Sequence, residues 1–184
     1  MMEKPRKEIE DLSKIISRRR NQVIQREETW ALIRRIIFLM VVVWVMFTQV
    51  FQFVRVRGME MFPALKDGDL ALVFRMHQGY EKGDVIAYRY GDEVKIGRLI
   101  AAETDMVNIE ENGNLLVNGT TQTGEIMYPT YAKEGNTYPK RISEGHVFVL
   151  GDYRTQCTDS RDFGEIPEMD VVGKVITILR RRGL

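Results

Sequence analysis

The sequence predicts a mainly β domain, an antiparallel sandwich or barrel, that follows a single N-terminal transmembrane helix. Two observations lead to this prediction. The one long uncharged stretch lies near the N-terminus, and short apolar runs separated by glycine-containing turns fill the chain after it. A length of 184 residues suits one modest domain with an appendage. We therefore expect a charged helix at 1–35, a membrane anchor at 36–54 and a β domain at 55–184.

The first segment, residues 1–35, is polar and holds ten Lys/Arg against six Asp/Glu. Apolar residues recur along it at helical spacings and form a narrow stripe: Ile9, Leu12, Ile16 and Val23. One interpretation is a short coiled coil or a contact with a partner, and the other is a solvated surface helix. Arg19 takes one position of the stripe and favours the surface helix.

The predicted anchor consists of nineteen residues without a formal charge. At about 1.5 Å per residue it spans roughly 28 Å, close to the thickness of the bilayer core. Arg34 and Arg35 precede it directly, so the positive-inside rule places residues 1–35 in the cytoplasm and the β domain outside. Charged residues rather than a small-residue cleavage site follow the run, which favours a retained anchor over a cleaved signal.

Seven apolar runs beyond the anchor are predicted to be strands: Leu70–Phe74, Val85–Tyr90, Glu93–Ala102, Met106–Glu110, Asn114–Val117, His146–Leu150 and Val171–Leu179. Asn112-Gly113 joins two of these runs, and Asn-Gly is a strong signal for a tight hairpin because it readily adopts positive φ. Residues 118–145 are polar and contain prolines and glycines, so we expect a loop-rich insertion there.

The composition excludes several classes of function. The net charge is +1, which argues against nucleic acid as a partner. The single cysteine, Cys157, excludes an intramolecular disulfide and a multi-cysteine metal site. The two histidines, His77 and His146, leave little for a zinc site or a histidine-based triad. We therefore predict no metal and no cofactor.

Three stretches carry a recognisable pattern: Gly58–Asp69, Lys95–Asp105 and Gly151–Gly164. Behind one N-terminal anchor, they together resemble the type I signal peptidases of the S26 family, which are membrane-bound serine proteases of the Ser-Lys class. The last stretch is the most specific. The resemblance implies that the β domain has the signal peptidase architecture.

The resemblance also shows where this chain departs from the family. It places the nucleophilic serine at Glu60, the general-base lysine at Gly97, and a serine that orients this lysine at Cys157. Gly58 stands where family members have a residue that assists the oxyanion hole. The remaining framework is retained, and the resemblance implies that it shapes the cleft through ion pairs and turns: Met61, Pro63, Arg98, Asp152, Arg154, Asp159, Ser160, Arg161 and Gly164.

These departures affect the two groups that the chemistry requires, a hydroxyl that attacks and an amine that takes its proton. Glu60 is an anion near neutral pH and a poor nucleophile toward an amide, and Gly97 has no side chain. In another serine protease the loss of nucleophile or base costs about six orders of magnitude in rate. We therefore predict a pseudoenzyme. The alternative is an active signal peptidase with altered catalytic residues.

Three other arrangements of these residues remain open. Cys157 and His146 together would make a thiol protease, if they lie within hydrogen-bonding reach. Glu60 with Asp159 or Asp162 would make a carboxylate dyad that shares a proton. The third arrangement, which we favour, is a Glu60 that is solvated or paired with Arg98 or Lys95.

Loss of the same two catalytic residues is typical of the signal-peptidase-like proteins of Gram-positive pilus loci. The resemblance to that branch implies a chaperone or scaffold in sortase-dependent pilin polymerisation. The expected partners are pilin subunits, a class C sortase or both, together with the lipid bilayer. A cleft of this type binds an extended peptide through main-chain hydrogen bonds, which do not need the nucleophile. A membrane-anchored structural protein unrelated to pili is the remaining hypothesis.

Overall fold

The computed structural model describes residues 4–76, 79–122 and 128–180, with the side chains of residues 4–24 and 27 left out. His77 and the predicted stripe from Ile9 to Val23 therefore lie outside the described side chains. The chain divides into two compact units, Met1–Thr48 and Gln49–Leu184.

A single helix, α1 (Lys4–Val50), forms the N-terminal part of the chain. Its portion Glu28–Val50 is long and apolar enough to cross a membrane, with a mean hydropathy of 2.1. The helix ends at Val50, whereas the predicted anchor continues to Val54. Residues 51–54 instead begin a strand, in which Val54 is buried and pairs with Ala71. The uncharged run hides this boundary because apolar residues suit a membrane helix and a half-buried strand equally well.

Eleven strands follow in the described chain: β1 (Phe51–Arg55), β2 (Leu70–Phe74), β3 (Val85–Tyr90), β4 (Glu93–Ala101), β5 (Met106–Ile109), β6 (Leu115–Val117), β7 (Thr120–Thr121), β8 (Lys140–Arg141), β9 (His146–Leu150), β10 (Ile166–Pro167) and β11 (Val171–Leu179). A short helix, α2 (Ser160–Phe163), follows β9, and a 3₁₀ turn covers Glu168–Asp170.

The strands form two antiparallel sheets. The larger has the order β1-β2-β11-β3-β4-β9-β10, and the smaller has the order β7-β6-β5-β8. The predicted architecture, mainly antiparallel β after one N-terminal apolar helix, is confirmed. Within the described parts of residues 118–145, the regular structure is limited to the two-residue strands β7 and β8.

A two-residue turn between β3 and β4 sets the register that matters for the site. Gly91 and Asp92 form this turn, and Gly91 adopts a φ of 60°, which glycine reaches without a steric penalty. Tyr88 therefore lies opposite Lys95, and Ile86 lies opposite Gly97. Because side chains alternate between the faces of a strand, Lys95 and Gly97 share one face of β4.

Candidate functional site

A cavity of about 430 Å³ lies between β1 with the residues that follow it and the N-terminal half of β4. Its lining consists of residues 52–58, Glu60, Met61 and residues 92–96. β1 is an edge strand of the larger sheet, and β4 pairs with β9 only from Arg98 onward. Within the described chain, both walls of the cavity thus have a strand edge that is not used in the sheet.

The segment that carries Glu60 is a turn held in place by hydrogen bonds of its backbone groups. The Gly58 amide donates to Asp67 Oδ1 at 2.8 Å, and the Tyr153 amide donates to the Glu60 carbonyl oxygen at 2.9 Å. A Cβ at Gly151 would lie 2.7 Å from that same oxygen and 2.8 Å from Cys157 Sγ. The absence of a side chain at Gly151 therefore allows the Glu60 turn to lie against the C-terminal motif.

The Glu60 carboxylate forms an ion pair at the cavity wall. Lys95 Nζ donates to Glu60 Oε1 at 3.2 Å, and the two side chains are 19% and 28% exposed, respectively. The predicted pairing of Glu60 with a nearby cation is confirmed. The carboxylate dyad is not formed, because Asp159 pairs with Arg161 and Asp162 pairs with Lys133.

At Gly97, the position that the resemblance assigns to the general-base lysine, there is no room for a side chain. A Cβ there would overlap Val149 Cγ1 and would lie 3.2 Å from Tyr88 Cε1 and 3.3 Å from the Leu150 carbonyl oxygen. Val149 is fully buried, and a β-branched side chain has little rotameric freedom to move aside.

Tyr88 takes up part of this space and is itself 1% exposed. Burial raises its pKa above the ordinary value, and the negative charges of Glu60 and Asp159 raise it further. The phenol is therefore protonated and neutral at physiological pH. Sequence reasoning missed Tyr88 and Val149, although the Gly91-Asp92 turn was a signal that would have placed Tyr88 beside Gly97.

Cys157 and His146 are not brought together. The thiol donates to Asp159 Oδ2 at 3.0 Å and accepts from Arg161 Nη2 at 3.2 Å. His146 begins β9 and Gly151 follows it, a span of roughly 17 Å in extended chain. Burial, reinforced by the charge of Asp159, raises the pKa of Cys157 to about 12. The thiol protease arrangement is therefore wrong, because the thiol stays protonated and has no histidine beside it.

The C-terminal motif is built around one buried ion pair. Arg161 is 1% exposed and donates to both oxygens of Asp159 at 2.9 Å and to the Arg154 carbonyl oxygen at 2.6 Å. Burial alone would raise the pKa of Asp159, but the hydrogen bonds and the charge of Arg161 hold it below its ordinary value. Asp159 also accepts from the Gly151 amide at 3.1 Å and so connects the pair to the turn beside Glu60.

A second ion pair ties β4 to the same turn. Arg98 donates through Nε to Asp152 Oδ1 at 2.7 Å and through Nη2 to Asp152 Oδ2 at 2.6 Å, a bidentate geometry. Arg154 donates from Nε to the Gly151 carbonyl oxygen at 2.8 Å. Burial lowers the pKa of Arg154 to about 10, so the guanidinium remains charged near neutral pH.

The other framework residues stabilise the ends of these elements. Ser160 Oγ accepts from the Val149 amide at 3.0 Å, which joins α2 to β9. Gly164 has a φ of 88°, and its amide donates to the Ser160 carbonyl oxygen at the end of α2. Met61 is 2% exposed in the core cluster next to the cavity, and Pro63 follows two residues later in the Glu60 turn.

This arrangement offers main-chain hydrogen bonds along two strand edges, an apolar floor and two ion pairs, the partly buried Glu60–Lys95 and the exposed Arg57–Glu93. Among the described residues there is no group of three His, Cys, Asp or Glu side chains that would hold a metal ion. Binding of an extended chain needs only the groups that are present in the cavity.

Peptidases from a plant and a bacterium are similar in sequence to this chain. Thylakoidal processing peptidase 1 of Arabidopsis thaliana is 28% identical over 133 residues, which cover 64% of this chain and 38% of that protein. Signal peptidase IB of Staphylococcus aureus strain COL is 35% identical over 142 residues, which cover 65% of this chain and 73% of that protein. This chain thus spans less than half the length of the thylakoidal relative.

A crystal structure of a signal peptidase I from Enterococcus faecalis V583 matches with a TM-score of 0.43 and 25% identity, over 54% of this chain and 98% of that chain. Residues 29–179 match the family described as signal peptidase, peptidase S26. This match covers the second half of α1 and nearly the whole described β domain. The chain belongs to the signal peptidase family S26.

Proposed function

We propose that this chain is a membrane-anchored, non-proteolytic member of its family that binds an extended peptide segment. The observation that carries the proposal is what occupies the two positions that the resemblance assigns to the catalytic serine and lysine. Glu60 is ion-paired with Lys95, and the space at Gly97 is occupied by Val149 and Tyr88. Neither an attacking hydroxyl nor a free general base stands at these positions.

Binding through strand addition suits the walls of the cavity. An extended peptide between β1 and β4 would exchange main-chain hydrogen bonds with both edges, and alternate side chains would point to the floor. That floor includes Val54, Val56, Met61 and Ile96, each at most 7% exposed. Such a groove favours peptides with small apolar residues at alternate positions.

The biological role that we propose is that of a chaperone or scaffold in sortase-dependent pilus polymerisation. The joint departures at Glu60 and Gly97 support it, because they match the pattern of the signal-peptidase-like proteins of pilus loci. In this role α1 anchors the chain, its basic N-terminal flank lies in the cytoplasm, and the β domain meets pilin or class C sortase outside.

The decisive experiment compares binding and hydrolysis on the same peptide. The full chain in detergent micelles is incubated with a fluorogenic signal-peptide mimic, with Signal peptidase IB of S. aureus as the positive control. We expect saturable binding by fluorescence anisotropy and no product above the no-protein blank. Turnover that Glu60→Ala or Lys95→Ala abolishes would contradict the proposal.

The pilus role needs its own test in the organism that encodes the chain. Deletion of the gene is expected to abolish the high-molecular-weight pilin ladder on an immunoblot. The wild-type chain supplied on a plasmid is expected to restore it. A normal ladder in the deletion strain would refute the role in pilus assembly while leaving peptide binding intact.

The second candidate function is that of an active signal peptidase with altered catalytic residues. Two observations favour it: the matched relatives carry the names of peptidases, and Lys95 places an amine 3.2 Å from the Glu60 carboxylate. The hydrolysis assay distinguishes the two candidates, because a catalytic amine at Lys95 requires turnover that depends on that side chain.

A further inference from the structure

The Glu60–Lys95 pair has hydrogen-bonding capacity that main-chain strand binding does not use. An ammonium group carries three N–H donors, and a carboxylate accepts through two oxygens. Among the described residues, Lys95 Nζ donates one hydrogen bond, to Glu60 Oε1. Both side chains line the cavity and are partly exposed. A donor and an acceptor therefore stand side by side at the place where a bound peptide would lie.

The surroundings of this pair make it selective. Apolar side chains form the adjacent floor, and water is displaced from that floor when a peptide covers it. The Arg57–Glu93 pair also lines the cavity, but its side chains are 83% and 64% exposed and stay in contact with water. Beside the apolar floor a cationic ligand would pair with Glu60 but face the charge of Lys95, and an anionic ligand would meet the reverse problem. An aliphatic side chain would cover both groups and replace none of the hydrogen bonds that they make to water.

We propose that the Glu60–Lys95 pair recognises a carboxamide side chain, Asn or Gln, in the extended peptide that occupies the cavity. The carboxamide oxygen accepts from Lys95 Nζ, and its NH₂ group donates to the Glu60 carboxylate. The ligand group is neutral, so both charges keep their partner. This inference rests on the proposed function, because the peptide must first bind between β1 and β4.

The size of the cavity is compatible with this mode. A volume of about 430 Å³ falls within the range of small-ligand sites, about 300 to 1,000 Å³.

The amide that binds the pair could belong to the peptide backbone or to a side chain, because a backbone amide offers the same donor and acceptor as a carboxamide. A set of peptides that share one backbone and differ in one side chain separates these two sources.

The test uses fluorescein-labelled nine-residue peptides of alanine and valine. One position at a time carries Ala, Leu, Asn, Gln, Asp or Lys, and the full chain in detergent micelles is titrated by fluorescence anisotropy. At one position we expect Asn or Gln to bind about tenfold more tightly than Leu, Asp or Lys, since two charge-assisted hydrogen bonds are gained.

Substitutions in the pair are expected to change the preferred side chain rather than only to weaken binding. Lys95→Ala leaves the carboxylate alone, so the preference should move to Lys at that position. Glu60→Ala should move it to Asp. The matched control is Lys174→Ala, which removes a lysine that is 30% exposed from its ion pair with Asp84. The control should keep the preference for Asn or Gln.

Folding and function are separated by a further variant. The exchange of Glu60→Lys with Lys95→Glu keeps one donor and one acceptor, and it should keep the carboxamide preference if circular dichroism shows a native spectrum. Equal affinity for all six side chains at every position would overturn the inference while leaving peptide binding in place. Failure of every peptide to bind would overturn the proposed function as well.

Discussion

The C-terminal motif and the cavity wall differ in how much of the signal peptidase pattern they keep. In the motif, Asp159 and Arg161 form a buried ion pair with additional hydrogen bonds to the neighbouring backbone. At the wall, Glu60 and Gly97 stand where the resemblance to the family places the serine and the lysine, and neighbouring side chains fill the space at Gly97. The loss of one partner from a buried ion pair destabilises the fold whatever the protein does, whereas catalytic groups are needed only for chemistry. Stability of the fold therefore constrains the motif, whereas catalysis constrains the two positions at the cavity wall.

Arg161→Ala should destabilise the chain more strongly than the other substitutions proposed for these two regions. The substitution leaves Asp159 as a buried charge without its partner, which should lower the free energy of unfolding by about 3–5 kcal/mol. Urea unfolding of the full chain in micelles, followed by the β signal in circular dichroism, measures this loss.

Lys133→Ala is the control for that measurement. It breaks the Lys133–Asp162 pair, whose side chains are 28% and 34% exposed, and a hydrogen bond from Lys133 Nζ to the Cys157 carbonyl oxygen, and should cost about 1–2 kcal/mol. If the two variants unfold at the same urea concentration, the buried Asp159–Arg161 pair contributes no more to stability than the partly exposed Lys133–Asp162 pair, and the distinction between them is wrong.

A smaller loss of stability is expected at Gly97, where the destabilising change is the addition of a side chain rather than its removal. Gly97→Ala and Gly97→Lys should each lower the free energy of unfolding by about 1–3 kcal/mol, because the added Cβ overlaps Val149. Val149→Ala in the same chain should recover part of the Gly97→Ala loss, and Val149→Ala alone is the control. Urea midpoints of the four variants provide the comparison.

The same packing predicts the outcome of an attempt to restore catalysis. Glu60→Ser with Gly97→Lys should not hydrolyse the signal-peptide mimic, since the new lysine has no space to extend toward residue 60. Hydrolysis by this double variant, with unchanged stability, would contradict the description of Gly97 as a filled position.

Much of the fold follows from local signals in the sequence. Leu70–Phe74, Val85–Tyr90 and His146–Leu150 have the predicted bounds, because turns with glycine or polar residues mark their ends. The boundary at Val50 was missed because hydropathy alone does not separate a membrane helix from an adjoining apolar strand.

The features of the site that follow from the chemistry of a single side chain could be predicted, and those that follow from packing could not. The pairing of Glu60 with Lys95 was among the expected partners, since charge complementarity restricts the choice. The filling of the space at Gly97 was not foreseen, because it depends on side chains from β3 and β9 that meet only in the folded sheet. Contacts of this kind require the register of three strands at once.

The smallest expected effect comes from pH, and it tests the buried pair without any substitution. The pKa of Asp159 is below its ordinary value in the folded chain, so the folded state binds fewer protons than the unfolded state at mildly acidic pH. The contribution of Asp159 to stability is therefore complete above the unfolded pKa, about 3.9, and is lost as pH falls through the folded value. Asp105 and Glu165 also have lowered pKa values and act in the same direction.

Urea midpoints measured at pH 7, 5, 4 and 3 should fall in the last two steps. The Asp159→Asn variant should be less stable at pH 7 and should lose less stability between pH 5 and pH 3. Asp105→Asn is the control at an aspartate in the turn between β4 and β5, and it should also flatten the profile without the large loss at pH 7. A wild-type profile with the same slope as that of Asp159→Asn would mean that Arg161 does not hold Asp159 ionised, and the distinction between the buried pair and the partly exposed Glu60–Lys95 pair would then be wrong.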